Sequence, residues 1–381
     1  MATRLLGRRL RFSPRFRPVP IASLTVEERL DLGDLRDDGE LAVVLLPTMG
    51  GFSAKAVCAA TAGFLARFES PAELAAEDHL ALGNDDSVLV RMIVDGVLEV
   101  EEGMKFISGA AAAELLGLEA TLSEPLTAPA RVSLEALRYG ALLQMTDAPS
   151  LSARLYAYNR EPLSPRWTRR IPSARAFDDW IGMNGGSPFR RDLLRAWVER
   201  PPLPDNPRWI HFRARRYDPG RFKLYVSPRA ESFPEMLRIA ATAFEEHGIS
   251  AFKLARDLPG ALRPDKLVAY ARSGDQVFAA ADAILRRASG MPPQVVPFTA
   301  PAGGDGLVSW GIDPPRSEHV SNWQGTSWRR WLTDRLAVAL TAACAAGASS
   351  AVRFALQRIA LEGVDVQSWT PAAMPWDRAS A

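Results

Sequence analysis

The sequence predicts an α+β protein whose C-terminal half carries a ferredoxin-like split βαβ antiparallel sheet. Three observations predict it. Arg-Phe-Lys-Leu-Tyr-Val (221–226) alternates polar and apolar residues, as a half-buried strand does. Two amphipathic stretches then carry their own start and stop signals. Ser232-Phe-Pro-Glu235 has the form of a capping box ahead of helix 233–247, which Gly248 ends. Ser273, with Gln276 at N3, opens a second helix that Gly290 closes. Ile249–Ala255, Lys266–Ala271 and Leu307–Ile312 read as the remaining strands. The resulting β-α-β-β-α-β order allows four antiparallel strands with both helices on one face.

Upstream, residues 1–20 read as a solvated basic tail and 21–200 as a second α+β domain. A winged-helix-like segment is expected over 51–108. Its helices run from Ser53 to Phe68, near Pro71–Leu82, and from Asp86 to Val94, and a hairpin of 97–101 and 104–108 follows. The third helix offers only Arg91 among Asp85, Asp86 and Asp95, and Glu99, Glu101 and Glu102 make the wing acidic. Such a surface repels DNA phosphates. A peptide added as a strand to the hairpin edge suits it better, and a purely structural domain suits it equally. Beyond it, 110–146 reads as helical, Leu155–Asn159 as a strand, Pro162–Pro172 as an extended basic connection and 189–199 as a helix. Pro201–Pro207, with four prolines in seven residues, marks the boundary to the C-terminal domain, 208–365. That domain ends in an Ala-rich helix beginning near Ser327 and breaking at Gly347, and 366–381 reads as a disordered tail.

Composition narrows the function classes. The 381 residues carry 46 Lys and Arg against 44 Asp and Glu, a net charge of +2, so no global field calls for nucleic acid or a membrane surface. No run of eighteen apolar residues occurs. Cys58 and Cys344 stand alone in apolar helical patterns, which predicts buried thiols in a reducing cytoplasm and no metal site. Gly185-Gly186 lacks the Lys-Ser/Thr of a phosphate loop. No Gly-x-Ser-x-Gly elbow or His-Glu-x-x-His pair is present either.

The chemical signal is a set of cations on the strands and turns of the C-terminal domain. Trp209-Ile-His211-Phe-Arg213-Ala-Arg215 alternates, so His211, Arg213 and Arg215 project to one face. Arg221, Lys223 and Tyr225 alternate on the next strand, and Lys253 interrupts an otherwise apolar one. Arg263-Pro-Asp-Lys266 leads into the fourth core segment, and Arg329-Arg330 opens the C-terminal helix. A face that gathers these groups can hold a phosphate dianion by charge-assisted hydrogen bonds. The plainer alternative is a solvated sheet face whose arginines pair with acids elsewhere. His79, after two acids, and His247, in the last turn of a helix, fit a site less well. His319, in a loop, reaches one only if that loop folds over it.

Strand Arg221–Ser227, helix 233–247, Phe252-Lys253, Leu262–Tyr270, Val296-Pro-Phe-Thr299, Gly311-Ile-Asp-Pro314 and Thr326-Ser-Trp328 follow one another in an order that resembles the HopA-type effector family, over about residues 208–340. The resemblance implies the lyase component of a bacterial, lanthipeptide-type peptide-modifying pathway. Such a lyase works beside a separate kinase and removes phosphate from phosphoserine or phosphothreonine to leave a dehydroamino acid. It also implies a precursor peptide as substrate, a kinase-like partner protein and no metal or organic cofactor. By the same resemblance Lys253, Arg263 and Arg329 occupy the family's strand-lysine, Arg-Pro-Asp and helix-start arginine positions. Elimination needs a base of lowered pKa, for which a desolvated lysine serves. It also needs cations around the leaving phosphate and a proton donor to its oxygen. Lys253 as base, His211 as acid, and Arg213, Arg263, Arg329, Arg215 and Lys223 around the phosphate meet these demands. A non-catalytic adaptor that presents a peptide to a partner enzyme is the alternative, and a secreted effector acting on host phosphoproteins is a third.

Overall fold

A computed structural model describes residues 5, 7–31, 41–48, 54–75, 78, 86–118, 120, 122–201, 208–218, 220–303, 305–314 and 327–372. Strands Arg9–Phe12 (β1) and Phe16–Pro20 (β2) precede helix Val26–Asp31 (α1). Next come Leu41–Pro47 (β3), Lys55–Cys58 (β4), Ala59–Ala66 (α2), Ala72–Glu73 (β5), Asp86–Val94 (α3), Leu98–Glu102 (β6), Lys105–Ile107 (β7) and Gly109–Leu115 (α4). These strands form an antiparallel sheet of order β5-β1-β6-β7 and a second of order β2-β3-β4.

Described residues of the expected basic tail are therefore sheet. Arg9-Leu-Arg-Phe alternates, and Leu10 is fully buried while Arg9 and Arg11 reach Glu101 and Glu99 of β6. The acidic wing neutralises the basic N-terminus. Of the expected helices and hairpin over 51–108, α2 fills the later part of the first helix, α3 matches the third and β6–β7 form the hairpin, whereas 76, 77 and 79–82 of the second helix lie outside the described residues. Residues 55–58 pair with β3 where the first helix was expected to begin, and β5 pairs with β1 where the second was expected. Cys58 is half-buried and Cys344 exposed, so neither thiol is sealed in a core.

Five helices follow: Ala128–Leu142 (α5), Ala148–Tyr156 (α6), Pro165–Arg170 (α7), Ala174–Ile181 (α8) and Pro188–Ala196 (α9). Two of them correct the sequence reading. Asp147 caps α6, accepting from Ser150 N at 2.9 Å, with Pro149 in the first turn, so Leu155 and Tyr156 end a helix instead of starting a strand. Ser164 and Pro165 do the same for α7 inside the expected extended connection.

A seven-stranded antiparallel sheet dominates the rest of the chain. Its elements are Trp197–Arg200 (β8), Trp209–Ala214 (β9), Phe222–Val226 (β10), Phe233–Glu246 (α10), Ala251–Ala255 (β11), Leu258–Ala261 (α11), Leu267–Ala271 (β12), Gly274–Arg287 (α12), Ala300–Pro301 (β13) and Val308–Ile312 (β14). The strand order is β13-β14-β10-β12-β11-β9-β8. Helices α10 and α12 pack on each other and share one apolar core with Phe212, Leu224, Val226, Phe252, Leu254 and Ala269, so both cover the same face. The Ser232 capping box does not form, because Ser232 is already helical at the end of a 3-10 turn and makes no cap bond. Ser273 does cap α12. Gln276 uses its amide to bond the His247 and Gly248 carbonyls, so one side chain ties both helix ends together.

Helices Trp328–Ala345 (α13) and Ala351–Leu361 (α14) flank Gly347, and Val364–Asp365 (β15) pairs with Thr370–Pro371 (β16). The expected tail is thus ordered sheet as far as the description extends, with Trp369 buried. Residues 202–207 of the expected linker lie outside the described residues. The apolar core divides elsewhere. One cluster joins residues 5–155 to Phe298, α13 and α14, and the other spans Trp167 to Val308.

Candidate active site

Alternation on the large sheet leaves one face to the helices and assembles the other from polar and aromatic side chains. One row crosses six strands: Arg200 lies opposite His211, which lies opposite Lys253, and Val268, Tyr225 and Ser309 continue the line. The next row runs Arg213, Ala251, Tyr270, Lys223, Gly311. Neighbouring strands lie about 4.8 Å apart, so His211 and Lys253 stand side by side.

Lys253 is half-buried and makes no hydrogen bond or ion pair among the described residues. Its Nζ sits 4.4 Å above the Trp209 ring centroid and 6.0 Å from that of Tyr270. Burial holds its pKa below the ordinary lysine value, with Arg263 adding to the effect and Asp265 opposing it. The Nε2 of His211 is buried without a partner among the described residues. Burial, then Lys253 and Arg213, lower the pKa of this imidazole, so near neutral pH the ring is uncharged.

Two arginines converge above this row on one carboxylate. Arg263 grips Asp265 with two hydrogen bonds of 2.8 and 2.9 Å, its guanidinium 5.1 Å from the Trp209 ring and 5.6 Å from the Tyr156 ring. Arg329 is fully buried at the start of α13. It donates to Asp265 Oδ2 at 2.9 Å, to the Pro297 carbonyl at 2.9 Å and to the Tyr156 carbonyl at 2.8 Å. Tyr156 completes the group with its hydroxyl 3.0 Å from Asp265. Burial alone would raise the Asp265 pKa, but Arg263 and Arg329 overcome it and hold the carboxyl well below the usual range. The strap that supplies Pro297 carries Val295 and Phe298 at φ of 68° and 59°, uncommon for such side chains. Asn159 pins Val295 O at 2.9 Å, and Ser133 Oγ accepts from Phe298 N at 2.7 Å.

The remaining candidates separate. Lys223 is buried against Asp313 in an ion pair and leans on the Tyr270 ring at 5.5 Å, so its charge is already matched. Arg213 shares the face but places its guanidinium 4.4 Å over Tyr217. Arg215 lies beyond the end of β9, exposed, and does not join the cluster. His247 ends α10, away from the row, and His79, His319 and Thr326 lie outside the described residues. Sequence reasoning overlooked Tyr156, assigned to a strand, and the pairing roles of Asp265 and Asp313. Both acids were visible in Arg-Pro-Asp and Gly-Ile-Asp-Pro, but no spacing rule names their partners.

The electrostatic result is specific. Lys253, Arg263 and Arg329 face one carboxylate, Asp265, which leaves an excess of two positive charges in a largely buried setting once Lys253 is ionised. Among the described residues the charge is unmatched, and a dianion would neutralise it.

No protein-family model matches the chain, and no curated protein matches its sequence. Among solved structures it is similar to the effector protein from Pseudomonas syringae pv. syringae strain 61, at 12% identity and a TM-score of 0.37 over 63% of this chain and 97% of that one. It is also similar to the phosphothreonine lyase effector VirA (SpvC) of Chromobacterium violaceum, at 14% identity and a TM-score of 0.25 over 31% of this chain and 66% of that one. A third likeness is to the phosphothreonine lyase OspF of Shigella flexneri, at 15% identity and a TM-score of 0.24 over 33% of this chain and 78% of that one. Likenesses this remote assign no activity to the chain.

Proposed function

We propose that the protein is a phosphopeptide lyase that eliminates phosphate from phosphoserine or phosphothreonine. One observation carries the reading: a half-buried Lys253, unpaired among the described residues, stands beside a His211 nitrogen that likewise has no partner among them, below two arginines that exceed their shared acid by one charge. Neutral Lys253 takes the Cα proton. The C–H electron pair becomes the Cα=Cβ bond as the Cβ–O bond breaks, and phosphate departs toward Arg263 and Arg329. His211 gives the leaving oxygen a proton, since a bound dianion raises the imidazole's pKa against the neighbouring cations that lower it. The substrate in this reading is a precursor peptide phosphorylated by a separate kinase-like partner, as in lanthipeptide-type pathways, and the ferredoxin-like order of β10, β11, β12 and β14 supplies the platform.

The test is phosphate release from a synthetic phosphothreonine peptide, with the dehydroamino acid product read by mass. Lys253→Ala is expected to lower the rate by about a hundredfold or more, with an unchanged melting temperature. In the active protein the rate should rise with pH as Lys253 loses its proton, and the midpoint of that rise should lie below the ordinary lysine range. The absence of release under any condition would overturn the lyase. A second reading, a peptide-binding adaptor, draws support from Asp265, which already occupies both arginines. In that case Lys253→Ala should leave peptide binding intact and there should be no release to lose.

A further inference from the structure

We propose that a second pocket beside this site receives a carboxylate of the same peptide, one or two residues away from the phosphorylated side chain. The identity of the peptide rests on the lyase reading, whereas the pocket's preference for a single negative charge does not.

The cavity, of about 330 Å³, is lined by Arg160, Arg208, Trp209, Asp257, Gly260 and Arg263. Three arginines meet there, and their charges are not equivalent. Arg263 is committed to Asp265 by both of its hydrogen bonds. Arg160 is held in place by the Pro259 carbonyl, 2.8 Å from its Nη2, a neutral partner that fixes the guanidinium without consuming its charge. Arg208 has no ion-pair partner among the described residues. Burial, then repulsion from Arg263 and Arg208, lowers the pKa of Arg160, as expected of cations gathered without enough acid. The acid in the lining is Asp257, whose Oδ1 accepts from Gly260 N at 2.6 Å. Setting Arg160 and Arg208 against Asp257 leaves one positive charge, which suits a carboxylate, and guanidinium forks match carboxylate geometry.

Trp209 sets the spacing. Its ring forms part of the pocket wall and also carries Lys253 at 4.4 Å and Arg263 at 5.1 Å. One indole therefore separates the place of elimination from the pocket. An extended chain advances about 3.3–3.6 Å per residue, so side chains one or two positions apart span that distance.

The experiment measures binding and release separately. Phosphothreonine peptides carrying Glu, Gln or phosphoserine at each position from two before to two after the phosphothreonine are titrated into the full chain by calorimetry. Phosphate release is followed on the same set. At one position Glu is expected to bind about three- to fivefold tighter than Gln, the range for partly exposed charge pairs. Arg160→Gln and Arg208→Gln should each erase that difference while keeping the melting temperature and the turnover number. Equal affinity for Glu and Gln at every position overturns the proposal. So does a preference for phosphoserine over Glu that both variants abolish, because the pocket would then take a dianion. Glu-selective binding with no release refutes the lyase and leaves the pocket standing. Release whose kcat/KM is the same with Glu and Gln at every position refutes the pocket alone.

Discussion

At the scale of single residues, two lysines near the same sheet show how burial and partners divide their fates. Lys253 has aromatic faces and no acceptor among the described residues, whereas Lys266 is completely buried and donates to the Pro228 carbonyl at 2.6 Å and to Gln294 Oε1. Burial lowers the Lys266 pKa to about 7, against which Glu161 and Asp265 act. The folded value lies below the unfolded one, so between about pH 7 and the ordinary lysine value the unfolded chain binds more protons. Stability should therefore rise with pH across that window, with a slope approaching about 1.4 kcal/mol per pH unit from this group, and the penalty is fully present below it. Lys266→Met should remove that slope in urea titrations at pH 7, 8 and 9, and an unchanged slope would show that Lys266 is not its source. Lys253 was legible in the sequence because a lysine breaks an apolar alternation. The role of Asp265 was not, because an ion pair with Arg329, 64 residues away, exists only after the chain has folded.

At the scale of elements, the large sheet was legible and its surroundings less so. Period-two alternation along 209–214 and 222–226 fixes which side chains share a face, and pairing then lines up His211, Lys253 and Tyr225 without further information. Helix α6 was misread because Leu155-Tyr-Ala-Tyr suits a strand in isolation, while the deciding signals, Asp147 and Pro149, lie about two turns upstream. The junction of β14 with α13 depends on one small residue. A Cβ at Gly311 would meet Trp328 Cδ1 at 2.8 Å, and Trp328 is itself fully buried and stacked on Trp331. Gly311→Ala is expected to cost about 1–3 kcal/mol, as overpacking does, and to shift Arg329, the next residue of the helix, away from Asp265. A lowered denaturation midpoint together with reduced phosphate release would bear this out. An unchanged midpoint would show that the helix start yields freely.

At the scale of the whole molecule, a proline-rich stretch suggested a boundary near 201–207, but the packing follows a different partition. Composition cannot reveal that α13 and α14 turn back to the first core, because their apolar residues fit either core. Helix α13 nevertheless serves both regions: Arg329 enters the sheet-face cluster, while Trp331, Leu336 and Leu340 lie in the core shared with α5, α6 and α14. Farther along, Arg358 of α14 bonds Asp95 at the end of α3 as well as Glu362, a second tie between distant parts of the chain. The consequence concerns how the polypeptide can be divided. A piece starting at residue 208 would carry the arginine but leave the outer surface of α13 bare, and a piece ending at 201 would lack the helices that close its core. Expressed singly, each is expected to be insoluble or to melt without cooperativity. Expressed together, they should associate in trans and restore a single cooperative transition, since covalent continuity at 202–207 is not what joins them. Cooperative unfolding of the 208–381 fragment alone would show instead that this half is an autonomous, exchangeable module.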